Sequence, residues 1–124
     1  MRTIVGLLLA AGLAAAIAPA ASPAATTKVC PIPPVARYPY PGTNGTWTLF
    51  RAKGVTCATS YRVATAFQKC RLKNGVSGRC VKKVADGWAC REQRNSGPTS
   101  FGAAVTCSKG RATVGHNYMQ TTSG

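Results

Sequence analysis

Residues 54–70 read G-V-T-C-A-T-S-Y-R-V-A-T-A-F-Q-K-C, and this stretch decides the fold. Its periodicity predicts one helix of about four turns that begins after Thr56, whose hydroxyl is suited to accept a hydrogen bond from a free amide of the first turn. On a helical wheel one side collects the apolar and small residues Cys57, Ser60, Tyr61, Val63, Ala64, Phe67 and Cys70. The predicted helix is therefore amphipathic, and its apolar side carries a cysteine at each end.

The opposite side of this helix is polar and basic. With the residues that follow it, this side predicts a basic ridge, which we define as Arg62, Lys69, Arg71, Lys73, Arg79, Lys82 and Lys83. Such a surface is typical either of the solvated face of a core helix or of a helix that lies on a membrane. The apolar side holds only Tyr61 and Phe67 as large rings. This small apolar side favours the solvated face of a core helix.

The segments around the helix predict strands. Residues 46–53 are rich in aromatic and β-branched residues. Strict alternation places one set, Trp47, Leu49 and Arg51, opposite a second set, Thr48, Phe50 and Ala52. Further along, residues 101–108 and 111–119 predict a hairpin that turns at Lys109 and Gly110.

Between the helix and this hairpin, Asp86 and Gly87 mark a turn within residues 81–92, and residues 95–100 predict a polar loop. The order is thus a strand, a helix and then further strands. This order predicts an α+β fold in which one amphipathic helix packs on a small antiparallel sheet.

The N-terminal region predicts export. Arg2 precedes a run of apolar residues and then a small-x-small pattern, which is typical of a signal peptide over residues 1–25, with cleavage after Ala20 or Ala25. The apolar run is shorter than the ~20 residues that a membrane span needs. We therefore expect a secreted protein whose mature part has no transmembrane segment. It comprises a Pro-rich arm (residues 26–45), a single domain (residues 46–119) and a flexible tail (residues 120–124).

The cysteines predict a disulfide framework. All six lie in the expected mature part, at Cys30, Cys57, Cys70, Cys80, Cys90 and Cys107. An even number in a small exported chain is typical of three bridges. The sequence contains no C-x-x-C pair, so it predicts neither a metal site nor another cofactor. The pairing that we favour is Cys70–Cys80 as a local bridge, Cys57–Cys107 from helix to sheet, and Cys30–Cys90 fastening the arm.

The charge indicates the class of partner. The chain has 16 Lys and Arg against 2 Asp and Glu, a formal net charge of +14. Such an excess favours contact with polyanions, which include cell-wall polymers, anionic lipids, acidic proteins and, without sequence specificity, nucleic acids.

Three short motifs resemble those of a known group of proteins. They are V-T-C-A-T-S-Y-R-V-A, D-G-W-A-C and V-T-C-S-K-G, within residues 54–119. The chain resembles small exported basic cysteine-containing proteins of actinobacteria, a group without an established activity. The resemblance implies a capped helix, a turn and paired cysteines, and it implies no catalytic residue.

Catalytic groups are scarce. Asp86, Glu92 and His116 are the only residues of their types, so the sequence favours a non-catalytic module over an enzyme. One enzymatic alternative is a small cationic ribonuclease with Glu92 as base and His116 as acid, with phosphate contacts from Arg91, Arg94 and Arg111 and with Tyr118 nearby. A further alternative is a secreted inhibitor whose disulfide-held loop, residues 73–79 or 95–99, inserts into a partner protein.

Overall fold

The computed structural model describes residues 15–17, 25–33 and 44–122. In chain order the elements are β1 (Lys28–Cys30), β2 (Gly45–Lys53), α1 (Cys57–Leu72), β3 (Ala89–Ser96), β4 (Ser100–Lys109) and β5 (Ala112–Thr121). The strands form one antiparallel sheet in the order β1-β2-β5-β4-β3, and α1 packs on one face of it. The predicted α+β fold is confirmed. Most of the predicted signal peptide and half of the Pro-rich arm lie outside the described residues.

The helix begins where its cap predicts. Thr56 is the N-cap, and its hydroxyl accepts a hydrogen bond from the Thr59 amide at 3.3 Å. The side chains of Val63, Ala64 and Phe67 are buried against the sheet. Because a helix of this length is marginal alone in water, this packing supplies most of its stability.

A β-bulge changes the faces of β2. The pairing with β5 shifts between Trp47 and Leu49, so Trp47 and Phe50 both point toward the helix, with ring centroids 5.2 Å apart. The extra residue of a bulge reverses the phase of the alternation beyond it. The predicted grouping of Trp47 with Leu49 and Arg51 is therefore wrong.

Strands β3, β4 and β5 form a meander, and one of the predicted turns is shifted along the chain. Val84 and Trp88 exchange two backbone hydrogen bonds of 2.9 Å around the Asp86–Gly87 turn. The β4–β5 hairpin turns at Gly110 and Arg111, one residue later than predicted, with Gly110 at a φ of 58°.

Strand lengths also differ from the prediction. The predicted loop of residues 95–100 shrinks to residues 97–99 because β3 and β4 extend into it. Strand β5 runs to Thr121, and Gln120 is fully buried. The prediction of a flexible tail that starts at Gln120 is therefore wrong. Within the predicted arm, Lys28–Cys30 form β1, which ends where Pro31 removes a backbone donor.

All six cysteines form disulfides, as predicted, but only one pairing is the predicted one. The Cys70–Cys80 bridge is confirmed. The other two bridges are Cys30–Cys57, from β1 to the start of the helix, and Cys90–Cys107, between directly paired residues of β3 and β4. The predicted Cys57–Cys107 and Cys30–Cys90 pairs are wrong because the register places β3, and not the helix, beside Cys107.

Candidate functional site

The ribonuclease candidates Glu92 and His116 lie in one row across the sheet. Glu92 pairs with Val105 on β4, and Val105 pairs with His116 on β5, so all three point toward the helix. His116 is 1% exposed. Its ring stacks with the rings of Phe50 and Tyr118, and it meets the Phe67 ring in an edge-to-face arrangement with centroids 5.5 Å apart. The imidazole is thus part of the core.

The environment of His116 keeps it neutral. Burial, and then the charges of Arg51 and Arg71, lower the pKa of His116 to about 3. Gln68 Nε2 lies 3.1 Å from His116 Nε2. The Gln68 Oε1 atom already accepts from Arg71 Nε at 2.6 Å, so the Gln68 amide N–H donates to the unprotonated ring nitrogen. A neutral, buried imidazole is too weak an acid to protonate a leaving group at neutral pH.

Glu92 is occupied by two donors. Its Oε1 atom accepts hydrogen bonds from the Tyr118 hydroxyl and from Arg94 Nε. The Glu92 side chain is 6% exposed, and burial together with this bond raises the pKa of Tyr118. Glu92 is thus held as an acceptor inside the structure.

The phosphate-binding residues of the ribonuclease hypothesis are dispersed. Arg94 lies beside Glu92, with its guanidinium carbon 4.3 Å from the centre of the Phe101 ring. Arg91 is exposed on the opposite face of the sheet, and Arg111 is exposed in the β4–β5 turn. The predicted constellation is therefore not assembled around an accessible acid–base pair.

Arg71 is the main correction to the predicted basic ridge. It is 0% exposed and therefore no part of an outer surface. Its guanidinium donates to Gln68 Oε1, to Gln120 Oε1 at 2.7 Å and to the Val76 carbonyl at 2.7 Å. The guanidinium carbon of Arg71 lies 4.5 Å from the centre of the Tyr118 ring. The helix directs Arg71 inward because it follows Phe67 by one turn on the buried side.

The other six residues of the predicted ridge are exposed. We call this set the exposed ridge: Arg62, Lys69, Lys73, Arg79, Lys82 and Lys83. Arg62 lies 2.6 Å from Asp86, and its hydrogen bond and charge lower the pKa of that carboxyl. Within the described part of the chain, Asp86 and Glu92 each pair with an arginine already. The five other ridge residues therefore have no carboxylate side chain as partner.

Part of the exposed ridge lies on a loop that is firmly held. The Cys70–Cys80 bridge closes residues 70–80. Arg71 binds the Val76 carbonyl, and Arg94 binds the carbonyls of Ser77, at 2.8 Å, and Gly78. Three successive carbonyls are thus fixed by two arginines that reach out of the interior. The backbone that carries Lys73 and Arg79 is therefore held in place.

The second face of the sheet was not predicted as a site. After the bulge, Arg51 points away from the helix and lies in one row with Gly115, Thr106 and Arg91. The sequence does show small residues at alternate positions of β4 and β5, which could have marked this face. Without the bulge and the strand register, however, that pattern does not show that Arg51 and Arg91 lie in one row.

The described part of the chain contains neither a metal-binding cluster nor a membrane-spanning helix. In residues 15–17, 25–33 and 44–122, no group of three or more His, Cys, Asp or Glu residues is placed to hold a metal ion. In the same ranges no helix has the length and apolar character to cross a membrane.

Comparisons with protein-family models, with curated proteins and with solved structures find no match. The class that the fold and site define is thus a disulfide-stabilised α+β module with a basic surface. The resemblance to exported actinobacterial proteins stays a prediction.

Proposed function

We propose that this chain is a secreted, non-catalytic module that binds an extracellular polyanion through the exposed ridge. The observation that carries the proposal is the state of the acidic residues. Asp86 and Glu92 are each engaged by an arginine, so every residue of the exposed ridge except Arg62 faces solvent without a carboxylate partner. A potential of one sign over a surface attracts polymers of the opposite sign.

Secretion is supported by two features. The N-terminal sequence has the order of a signal peptide, and three disulfides fit an oxidising compartment. Expression of the full chain in an exporting host, followed by mass analysis of the protein in the medium, tests this part. A product that begins after Ala20 or Ala25 is expected, and retention of the whole chain inside the cell would contradict it.

Binding is tested by its salt dependence. The affinity for heparin and for polyglutamate is measured at 50 and 200 mM NaCl. If each of the five ridge cations without a carboxylate partner releases a counterion, the affinity should fall on the order of 100- to 500-fold between these concentrations. An affinity that does not change with salt would contradict the proposal.

A matched pair of variants locates the surface. The triple variant Lys69→Gln, Lys82→Gln and Lys83→Gln removes three charges from the exposed ridge. The control, Lys28→Gln, Lys109→Gln and Arg111→Gln, removes three charges from exposed positions elsewhere. We expect the ridge variant to bind at least about tenfold more weakly than the control. Equal losses would show that net charge alone acts and would contradict a defined ridge.

The held loop supports a second candidate function, that of a secreted inhibitor. Two arginines from the interior and one disulfide fix residues 73–79, and a loop fixed before binding loses less conformational entropy when it docks. For the other predicted inhibitory segment, residues 95–99, the first part belongs to β3. A protein partner retained at moderate salt and lost on Val76→Asp would favour the inhibitor over the polyanion binder.

A further inference from the structure

The face of the sheet opposite α1 is a second surface with its own chemistry. In the described part of the chain, no second helix or sheet packs on it. On this face β4 carries the small side chains Gly102, Ala104 and Thr106, and β5 carries Gly115 beside the larger Asn117 and Met119. Because adjacent strands lie ~4.8 Å apart, the flanking strands β2 and β3 are separated by ~14 Å across these two strands.

This face contains two shallow concavities. One has a volume of about 410 Å³ and is lined by Thr48, Gln93, Asn95, Gly102, Ala104 and Asn117 among others. The other has a volume of about 260 Å³ and includes Thr27, Thr106, Thr113 and Gly115. Arg51 lines the smaller one, and its hydrogen-bond partner Asn117 lines the larger one. The Arg51 guanidinium is thus placed where the two concavities meet.

Arg51 is held in place by what lies beneath and beside it. Its NH1 and NH2 groups donate to Asn117 Oδ1 at 3.3 and 3.4 Å. A Cβ atom on Gly115 would lie 2.8 Å from NH2 and 2.9 Å from Nε, so the absence of a side chain at Gly115 lets the guanidinium lie over β5. A guanidinium fixed in this way is oriented before an anion arrives.

The face has the charge and polarity for an anionic chain that bears hydroxyl groups. Arg51 and Arg91 lie in the same row, and both acidic residues of the described chain are engaged elsewhere. Hydroxyl and amide side chains surround them, in particular Thr106, Asn117 and Gln93. These groups donate to and accept from hydroxyls and phosphate oxygens.

Aromatic rings are concentrated on the other face. Trp47, Phe50, Phe101 and Tyr118 point toward the helix and are buried. Single-stranded nucleic acids are bound through aromatic rings on which their bases stack, and no described residue supplies such a ring on the face opposite α1. The surface therefore suits a chain without bases.

We propose that the face opposite α1 binds a polyol-phosphate chain, with a phosphate on Arg51, a second anionic group on Arg91 and the polyol hydroxyls on the threonine and amide side chains between them. This site is separate from the exposed ridge and does not depend on it.

The sharpest test moves the guanidinium without changing the charge. In Gly115→Ala the new methyl group displaces the flexible end of Arg51 and leaves the net charge unaltered. Binding of poly(glycerol phosphate) is measured beside binding of a thymidine oligonucleotide and of heparin. We expect Gly115→Ala and Arg51→Gln each to weaken poly(glycerol phosphate) binding about tenfold, as the loss of one charge-assisted contact predicts, and to change heparin binding by less than about twofold.

The control is Lys82→Gln, which removes one charge from the exposed ridge. It should weaken heparin binding and change poly(glycerol phosphate) binding by less than about twofold. Unchanged poly(glycerol phosphate) binding in both Gly115→Ala and Arg51→Gln would overturn the proposal. An equal loss of oligonucleotide binding would overturn it in favour of a nucleic-acid surface. If Gly115→Ala unfolds, Asn117→Ala, which releases Arg51 without adding a group, replaces it.

Discussion

At the scale of single residues, Arg71 joins three parts of the molecule. It contacts Gln68 on the helix, Gln120 on β5 and the Val76 carbonyl in the disulfide loop. A buried guanidinium loses its hydration, and only a full set of acceptors offsets that loss. Arg71 thereby fixes the end of the helix, the end of β5 and the loop relative to one another.

Replacement of Arg71 by Met is expected to lower the free energy of unfolding by about 3–5 kcal/mol, because two buried amide oxygens and a carbonyl lose their donor. The measurement is urea denaturation with the disulfides intact. The control is Lys73→Met, an exposed position two residues later, which should change the free energy by less than about 0.5 kcal/mol. Similar values for the two variants would show that Arg71 does not connect the layers.

His116 gives the stability a defined pH dependence. Its pKa is about 3 in the folded chain, against about 6.5 when unfolded. Above pH 6.5 the ring is neutral in both states, so the stabilisation that the buried neutral ring provides to the folded chain is fully present. As the pH falls below 6.5, only the unfolded chain binds the proton, so the free energy of unfolding decreases by about 2 kcal/mol between pH 7 and pH 5. This window lies above the usual carboxyl pKa values, so His116 dominates it.

This dependence is measured by denaturation at several pH values and by NMR. His116 is the single histidine of the chain, so its ring signals need no assignment by mutation. In the folded protein these signals should not titrate between pH 8 and pH 5. His116→Gln should remove the slope of stability in the same window. A ring that titrates above pH 5 in the folded state would contradict the buried neutral histidine.

At the scale of elements, the helix could be predicted and the faces of β2 could not. Thr56 and the spacing of Val63, Ala64 and Phe67 determine the start and the buried side of α1 through local chemistry. The same spacing continues to Arg71, so the periodicity indicated burial while the residue type indicated exposure. The bulge at Trp47 and Leu49 is set by pairing with a distant strand, and no local signal marks it.

For the disulfides and for the site on the second face, too, local sequence determines some features and long-range strand register determines the others. Cys70 and Cys80 are close in sequence, and their bridge was predicted from that proximity. Cys90 and Cys107 pair because β3 and β4 adopt one particular register, which period-2 patterning does not specify for a strand as polar as β3. The same register, together with the bulge in β2, places Arg51 and Arg91 in one row.

At the scale of the whole molecule, the charge excess acts on stability. With a formal net charge of +14, the folded chain repels itself, and the repulsion is greatest where salt does not screen it. Raising NaCl from 10 to 150 mM shortens the screening length from ~30 to ~8 Å. We expect the thermal midpoint to rise by about 4–8 °C, which corresponds to about 1 kcal/mol for a domain of this size.

The ridge variant Lys69→Gln, Lys82→Gln and Lys83→Gln separates stability from binding. These side chains are exposed and pair with no carboxylate side chain, so their removal should raise the thermal midpoint at 10 mM NaCl and reduce its dependence on salt. The same variant should bind heparin more weakly than wild type. A lower midpoint would show that these lysines stabilise the fold, and their positive charge would then be explained without a ligand. A higher midpoint with weaker binding would mean that the exposed ridge lowers stability and contributes only to binding, which is the behaviour expected of a functional surface.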